Sequence, residues 1–209
     1  MSRNTDDLID ALARNNTTAS NRPFMRVHHA ALLGALPAIV IFFAFFGFRS
    51  NVIQSTLDPY FILRALFLVV MAATSLSLIP QLGQPGARVQ WQRLLVAPLI
   101  LMLTLVIERI GWIPVSASVS APVWVCIGGI AGLATFPIIA LLLVLRQQAA
   151  TQPELAGAIA GLAGGAIGAT LYALWCVETA PSYVVLWYGL ALALCAAAGA
   201  LAGRHLLRW

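Results

Sequence analysis

The chain has 209 residues, of which 61% are hydrophobic and 9% charged, with a mean hydropathy of +0.90. A soluble domain carries about 25% charged residues, so a soluble fold is excluded. The apolar runs are long and unbroken, which excludes a β-barrel built from alternating segments of about ten residues. In a bilayer the backbone must satisfy its own hydrogen bonds, so the expected fold is all-α, an integral membrane helix bundle. The net charge of +5 comes from twelve arginines and no lysine. They do not cluster with aromatics as a nucleic-acid-binding face requires, and no direct nucleic-acid binding is expected.

The chain divides into a polar segment, residues 1–26, and an apolar segment, residues 27–209. The first has no apolar core followed by a small-residue cleavage site, so it reads as a cytoplasmic tail and not a signal peptide. Within it, Thr5 to Arg14 predicts a short amphipathic helix. Thr5 can cap it, and Asp6 and Asp7 lie in the first turn, where the helix dipole favours negative charge. Leu8 and Leu12 stack one turn apart with Ile9 beside them. Asn15-Asn16-Thr17-Thr18 ends the helix, and Arg22, Pro23 and Arg26 mark the membrane boundary.

Six apolar spans are expected: Val27 to Gly47, Pro59 to Pro80, Leu94 to Ile107, Pro122 to Leu145, Leu155 to Trp175, and Tyr183 to Leu206. The third is short, and reaches full length only if Trp91 and Trp112 mark the two interfaces. With the N-terminus inside, nine arginines (3, 14, 22, 26, 88, 93, 146, 204 and 208) face the cytoplasm. Only Arg49 and Arg109 lie outside, with Arg64 in the second span toward its outer end. The positive-inside bias therefore predicts both ends in the cytoplasm of a bacterial inner membrane. Glycines four apart, at 128/132 on the fourth span, 157/161/165 and 164/168 on the fifth, and 199/203 on the sixth, predict close helix packing, within the chain first and between copies through one of these faces as the alternative.

Ionisable groups deep in the spans are nearly absent, which argues against an ion transporter. His28, His29 and His205 sit at span ends, poor positions for haem ligation. No phosphate loop, nucleophile motif or carboxylate pair suggests an enzyme, and no resident cofactor is expected. Of the three cysteines, Cys195 lies mid-span and reads as a small packing residue. Cys126 and Cys176 fall near the outer ends of the fourth and fifth spans, at similar depth. A disulfide on the periplasmic side and a soft metal held by the thiolates with Glu178 as a further ligand are both open, as is simple packing.

Two stretches carry a resemblance. Thr5-Asp6-Asp7-Leu8-Ile9-Asp10-Ala11-Leu12 opens the chain. Leu174-Trp175-Cys176-Val177-Glu178, Leu186-Trp187-Tyr188 and Gly199-x-x-x-Gly203-Arg204-His205-Leu206-Leu207-Arg208-Trp209 close it. Together they resemble NrsF-type proteins, membrane negative regulators of an extracytoplasmic-function sigma factor. The resemblance implies an anti-sigma factor that holds its sigma factor at the inner face of the membrane and releases it under metal or oxidative stress. By position in the family pattern, the two cysteines implicated in that response correspond to Cys126 and Cys176. Asp6, Asp7, Leu8, Ile9, Asp10 and Leu12 are then expected to bind the sigma factor. The family commonly has histidine where this chain has Trp175, which weights the site toward thiol chemistry over metal ligation. The other reading is a small transport protein or a scaffold subunit of a larger membrane complex.

Overall fold

The computed structural model describes residues 7, 22–47, 58–83, 90–110, 123–148, 152–176, 178 and 180–207. The described residues form helices and their connections, with no strand. We number the helices α1 (Arg22–Phe45), α2 (Pro59–Leu82), α3 (Val96–Ile110), α4 (Val123–Leu145), α5 (Pro153–Ala173) and α6 (Pro181–Leu206). Asp7 is helical and exposed; the rest of the expected tail helix lies outside the described residues.

Local chemistry sets the helix ends. The Asp58 carboxylate accepts the Tyr60 amide at 3.0 Å and Pro59 occupies the first turn of α2, where a missing N–H has no consequence. Proline also opens α5 and α6. Gly47, at φ +67, closes α1 by returning its amide to the Phe42 carbonyl at 2.9 Å, a left-handed stop that glycine makes without strain. The prolines inside α1, α2 and α4 (Pro37, Pro80 and Pro137) leave the helices continuous, as packed apolar helices tolerate.

Five helices are long and apolar enough to cross a membrane: α1 over Met25–Phe45, then α2, α4, α5 and α6. The expected third span differs. It appears as the 15-residue α3, entered through a 3-10 turn at Trp91–Leu95. Its α-helical part alone is too short to bridge a hydrocarbon core of about 30 Å at about 1.5 Å per residue. The first helix begins at Arg22, five residues before the expected Val27, because nothing in Arg22 to Arg26 stops a helix that already has proline in its first turn.

Helix α5 is the centre of the bundle. Two thirds of its apolar window (67%) is buried, against 33% for each of the other four. It packs against α6, α4 and α2, while α1 lies across α4. The reason is its richness in glycine and alanine. A Cβ at Gly157 would collide with the Gly199 carbonyl, one at Gly161 with the Cys195 carbonyl, and one at Gly199 with the Gly157 carbonyl. Backbones of α5 and α6 therefore touch along the glycine rows, the close approach that small residues permit between helices in lipid. On the opposite face Gly164 and Gly168 admit Ile138 and Ala134 of α4. Gly128 and Gly132 have the same spacing but meet no described atom within 4 Å of a built Cβ; that face of α4 is open.

Two buried clusters divide the bundle along its length. One holds Val27 of α1, Leu82 of α2, Leu145 of α4, Ala156 of α5 and Leu207 after α6, with Leu94 against it. The other holds Phe42, Phe67, Cys126, Tyr172, Cys176 and Tyr188. Helix α3 runs from the first end to the second. Leu94 lies just before its start, and near its finish the Glu108 carboxylate takes the amide and the hydroxyl of Ser182, each at 3.0 Å. A carboxylate on exposed N–H groups at the start of α6 is an N-cap supplied by another helix. At the first end, Arg204 and Glu154 form an exposed ion pair at 3.5 Å, a contact of small energetic weight.

Candidate functional site

The second cluster is where the polar chemistry collects. Arg64 lies one turn inside α2 and is only 3% exposed. A guanidinium in apolar surroundings is costly unless its donors are satisfied, and here the acceptors come from the far end of α5. One terminal nitrogen donates to the Glu178 carbonyl. The other donates to the Ala173 carbonyl at 2.9 Å and reaches the Cys176 carbonyl at 3.4 Å. These carbonyls at and beyond the α5 C-terminus have no intrahelical donor, and the positive charge complements the negative end of the helix dipole. The guanidinium carbon also stands 5.3 Å from the Phe61 ring centre and 5.8 Å from that of Tyr188, within cation–π range. Arg64 thus ties α2 to the segment that carries Cys176.

Cys126 on α4 and Cys176 just past α5 are both buried, both free thiols, and members of one cluster. They lie within electrostatic reach of each other. Tyr172 and Tyr183 stand against Cys126, and Tyr188 against Cys176. None of the three tyrosine hydroxyls makes a hydrogen bond of good geometry with any described residue, and Arg64 Nε is also unpartnered. Tyr188 is delivered by a π-helical turn, Val184–Tyr188, inside α6. The wider turn displaces the ring row by one residue, a device common near functional sites. Phe46 and Trp175 close the cluster: Phe46 stacks edge-on to Tyr172 at 5.8 Å and to Trp175 at 5.2 Å.

The sequence-derived site residues therefore separate into two groups. Cys126 and Cys176 are brought together. Glu178 is close by and 3% exposed, and it contributes its backbone carbonyl to Arg64. Among the described residues no three His, Cys, Asp or Glu side chains gather to hold a metal ion. Asp6, Leu8, Ile9, Asp10 and Leu12 lie outside the described residues. Cys195 is apart, its Cβ against Gly165 in the α5–α6 seam. Sequence reasoning missed Arg64 and the tyrosines. Arg64 carried a usable signal, as an ionisable residue inside an otherwise apolar span. Tyr188 stood only as part of the Leu186-Trp187-Tyr188 stretch, and Tyr172 and Tyr183 carried no signal, since aromatics near span ends read first as interface anchors.

The fold and the site define a helical membrane-type protein with two buried free thiols in a polar cluster at one end of the bundle. Its family follows from comparison with known proteins. The profile described as "Negative regulator of sigma F" matches residues 12–209, and the chain belongs to this family, NrsF. It is 30% identical over 212 residues to the "Probable anti-sigma-F factor NrsF" of Azospira oryzae (strain ATCC BAA-33 / DSM 13638 / PS), covering 98% of this chain and 99% of that one. It is likewise 30% identical over 214 residues to the "Anti-sigma-F factor NrsF" of Caulobacter vibrioides (strain NA1000 / CB15N), covering 98% and 99%. No solved structure matches the chain. The family's role is regulatory, and the chain is not an enzyme.

Proposed function

We propose that the chain is a membrane anti-sigma factor of the bacterial inner membrane. It holds an extracytoplasmic-function sigma factor at the cytoplasmic face and releases it when Cys126 and Cys176 are oxidised or bind a soft metal ion. The observation that carries the reading is the family match, which spans residues 12–209. The two thiols in one buried cluster support the sensing half. Any metal bound there rests on the two sulfurs, a donor set suited to soft ions. Co-purification tests the sequestering half: the detergent-solubilised chain carries the sigma factor with it, and a chain that retains none overturns the reading.

The proposed topology has six spans with both ends inside. Its support is the course of α3 between the two ends of the bundle. Counting the 3-10 turn at about 2.0 Å per residue and the α part at about 1.5 Å, Trp91 to Ile110 extends roughly 30 Å, enough to cross. The arginine bias sets the hand. Reporter fusions after Arg88, Arg146 and Trp209 are expected to give a cytoplasmic signal, and fusions near Asn51, Ser118 and Pro181 a periplasmic one. A periplasmic signal at Trp209 would eliminate the six-span arrangement.

In this frame the thiol site faces the periplasm and the first cluster faces the cytoplasm. That first cluster includes Val27 and Ala31 of α1, the helix that follows in sequence the tail proposed to hold the sigma factor. A ligand changes sigma affinity only by favouring one of two arrangements of the bundle. Helices α1, α2, α4 and α5 each contribute residues to both clusters, and α5, packed backbone to backbone on α6, is the most buried of them.

A further inference from the structure

Four polar groups stand around the two thiols without a hydrogen bond of good geometry to any described residue: the hydroxyls of Tyr172, Tyr183 and Tyr188, and Arg64 Nε. The tyrosines are 0%, 7% and 0% exposed and Arg64 is 3% exposed. Buried polar groups are nearly always satisfied, and each exception asks for an explanation. Four exceptions around one pair of sulfurs, in a bundle whose other buried surface is almost wholly apolar, constitute a site short of oxygen acceptors. A thiol is a weak acceptor, and the hydroxyls face the two sulfurs without a bond of full geometry. Beside Arg64, a cavity of about 10 Å³ lined by Tyr60, Thr104 and Pro181 among others has room for a molecule of about water's size.

We propose that Arg64, Tyr172, Tyr183 and Tyr188 form an oxygen-binding pocket that makes the thiol pair a sensor of small hydroperoxides. The inference rests on the thiol-sensor reading above and names its substrate class. One thiol, as thiolate, attacks the nearer peroxide oxygen. The S–O bond forms as the O–O bond breaks, sulfur loses two electrons, and the departing alkoxide or hydroxide takes the proton the thiol released. The products are a sulfenic acid and an alcohol or water. The second thiol then displaces the sulfenic oxygen, giving the Cys126–Cys176 disulfide and one water. The charge that develops in the first step lies on oxygen, where donors already in place lower the barrier most. The same donors then hold the sulfenic oxygen until the second thiol arrives.

The test uses isolated membranes carrying the full-length chain, with thiol states read by peptide mass spectrometry. Hydrogen peroxide, which delivers oxygen, is compared with methyl methanethiosulfonate. That reagent is also small and thiolate-directed but transfers only a CH₃S group. Tyr172→Phe, Tyr183→Phe and Tyr188→Phe each remove one hydroxyl with no protein partner, so folding is preserved. Each variant is expected to slow disulfide formation by peroxide about tenfold, roughly the worth of one hydrogen bond to a developing charge. Modification by the thiosulfonate is expected to stay within about twofold of wild type. Parallel losses with both reagents would mean that the tyrosines serve only packing or thiolate content, and would overturn the proposal; so would unchanged peroxide rates in all three variants. Either result leaves the thiol-sensor reading standing. A wild-type chain that forms no Cys126–Cys176 disulfide with peroxide overturns the proposal directly.

Discussion

Cys126→Ser and Cys176→Ser are each expected to abolish most of the stress response while leaving basal repression intact, and Cys195→Ser is expected to do neither. The measurement is a reporter driven by a sigma-dependent promoter, with and without oxidant or soft metal. The contrast follows from position. Cys126 and Cys176 share a buried cluster at one end of the bundle, and the carbonyl of Cys176 takes part in the Arg64 network that ties α5 to α2. A serine keeps nearly the same volume, and unpartnered tyrosine hydroxyls stand ready to bond it; the change removes sulfur chemistry with a small packing effect. Cys195 is in the α5–α6 seam against Gly165, away from that network. If the two serine variants respond as fully as wild type, the thiol-sensor mechanism fails and the sequestering role survives.

The second large effect is expected in the tail. Leu8→Ala with Leu12→Ala should release the sigma factor and raise transcription of its targets without lowering the amount of membrane protein. The two leucines fall one turn apart on the helix that Thr5 to Arg14 predicts, the spacing by which an amphipathic helix fills a groove on a partner. Burial of a leucine is worth about 1.5–3 kcal/mol. Losing two anchors of that kind weakens binding by about 4 kcal/mol, somewhat under a thousandfold. Asp6, Asp7 and Asp10 would face basic residues of the sigma factor. Immunoblots and the same reporter separate loss of binding from loss of protein. Unchanged repression in the double variant would remove this helix as the binding element.

What the sequence made legible was whatever depends on composition and spacing. The all-helical character, the boundaries of α2 and α4, and the glycine rows that join α5 to α6 and α4 are read directly from apolar runs and four-residue repeats. Spacing alone did not decide which glycine row packs: Gly128 and Gly132 repeat the pattern of Gly157 and Gly161 yet face open space, because contact depends on where α4 sits and not on its own sequence. The third helix was ambiguous for a local reason, a 3-10 entrance that lengthens a short α segment. Arg64 looked like a stray charge near a span end. Its meaning lies in carbonyls 109 to 114 residues away, which only the tertiary fold brings within reach. The tyrosine trio is assembled from the end of α5 and two turns of α6, one of them π-helical, and no periodicity announces it. That Cys126 and Cys176 share one buried cluster was legible because equal depth on helices joined by a short loop is itself a spatial statement.

The central claim is that the state of the two thiols at one end of the bundle sets the grip on a sigma factor at the other. It is tested most directly by measuring sigma-factor retention on the solubilised, immobilised chain, reduced and oxidised side by side, with the Cys176→Ser variant as control. The account predicts that the reduced wild-type protein retains the sigma factor, that oxidation releases it, and that the variant retains it under both conditions. Equal retention by reduced and oxidised wild-type protein, with the Cys126–Cys176 disulfide verified in the oxidised sample, would contradict it.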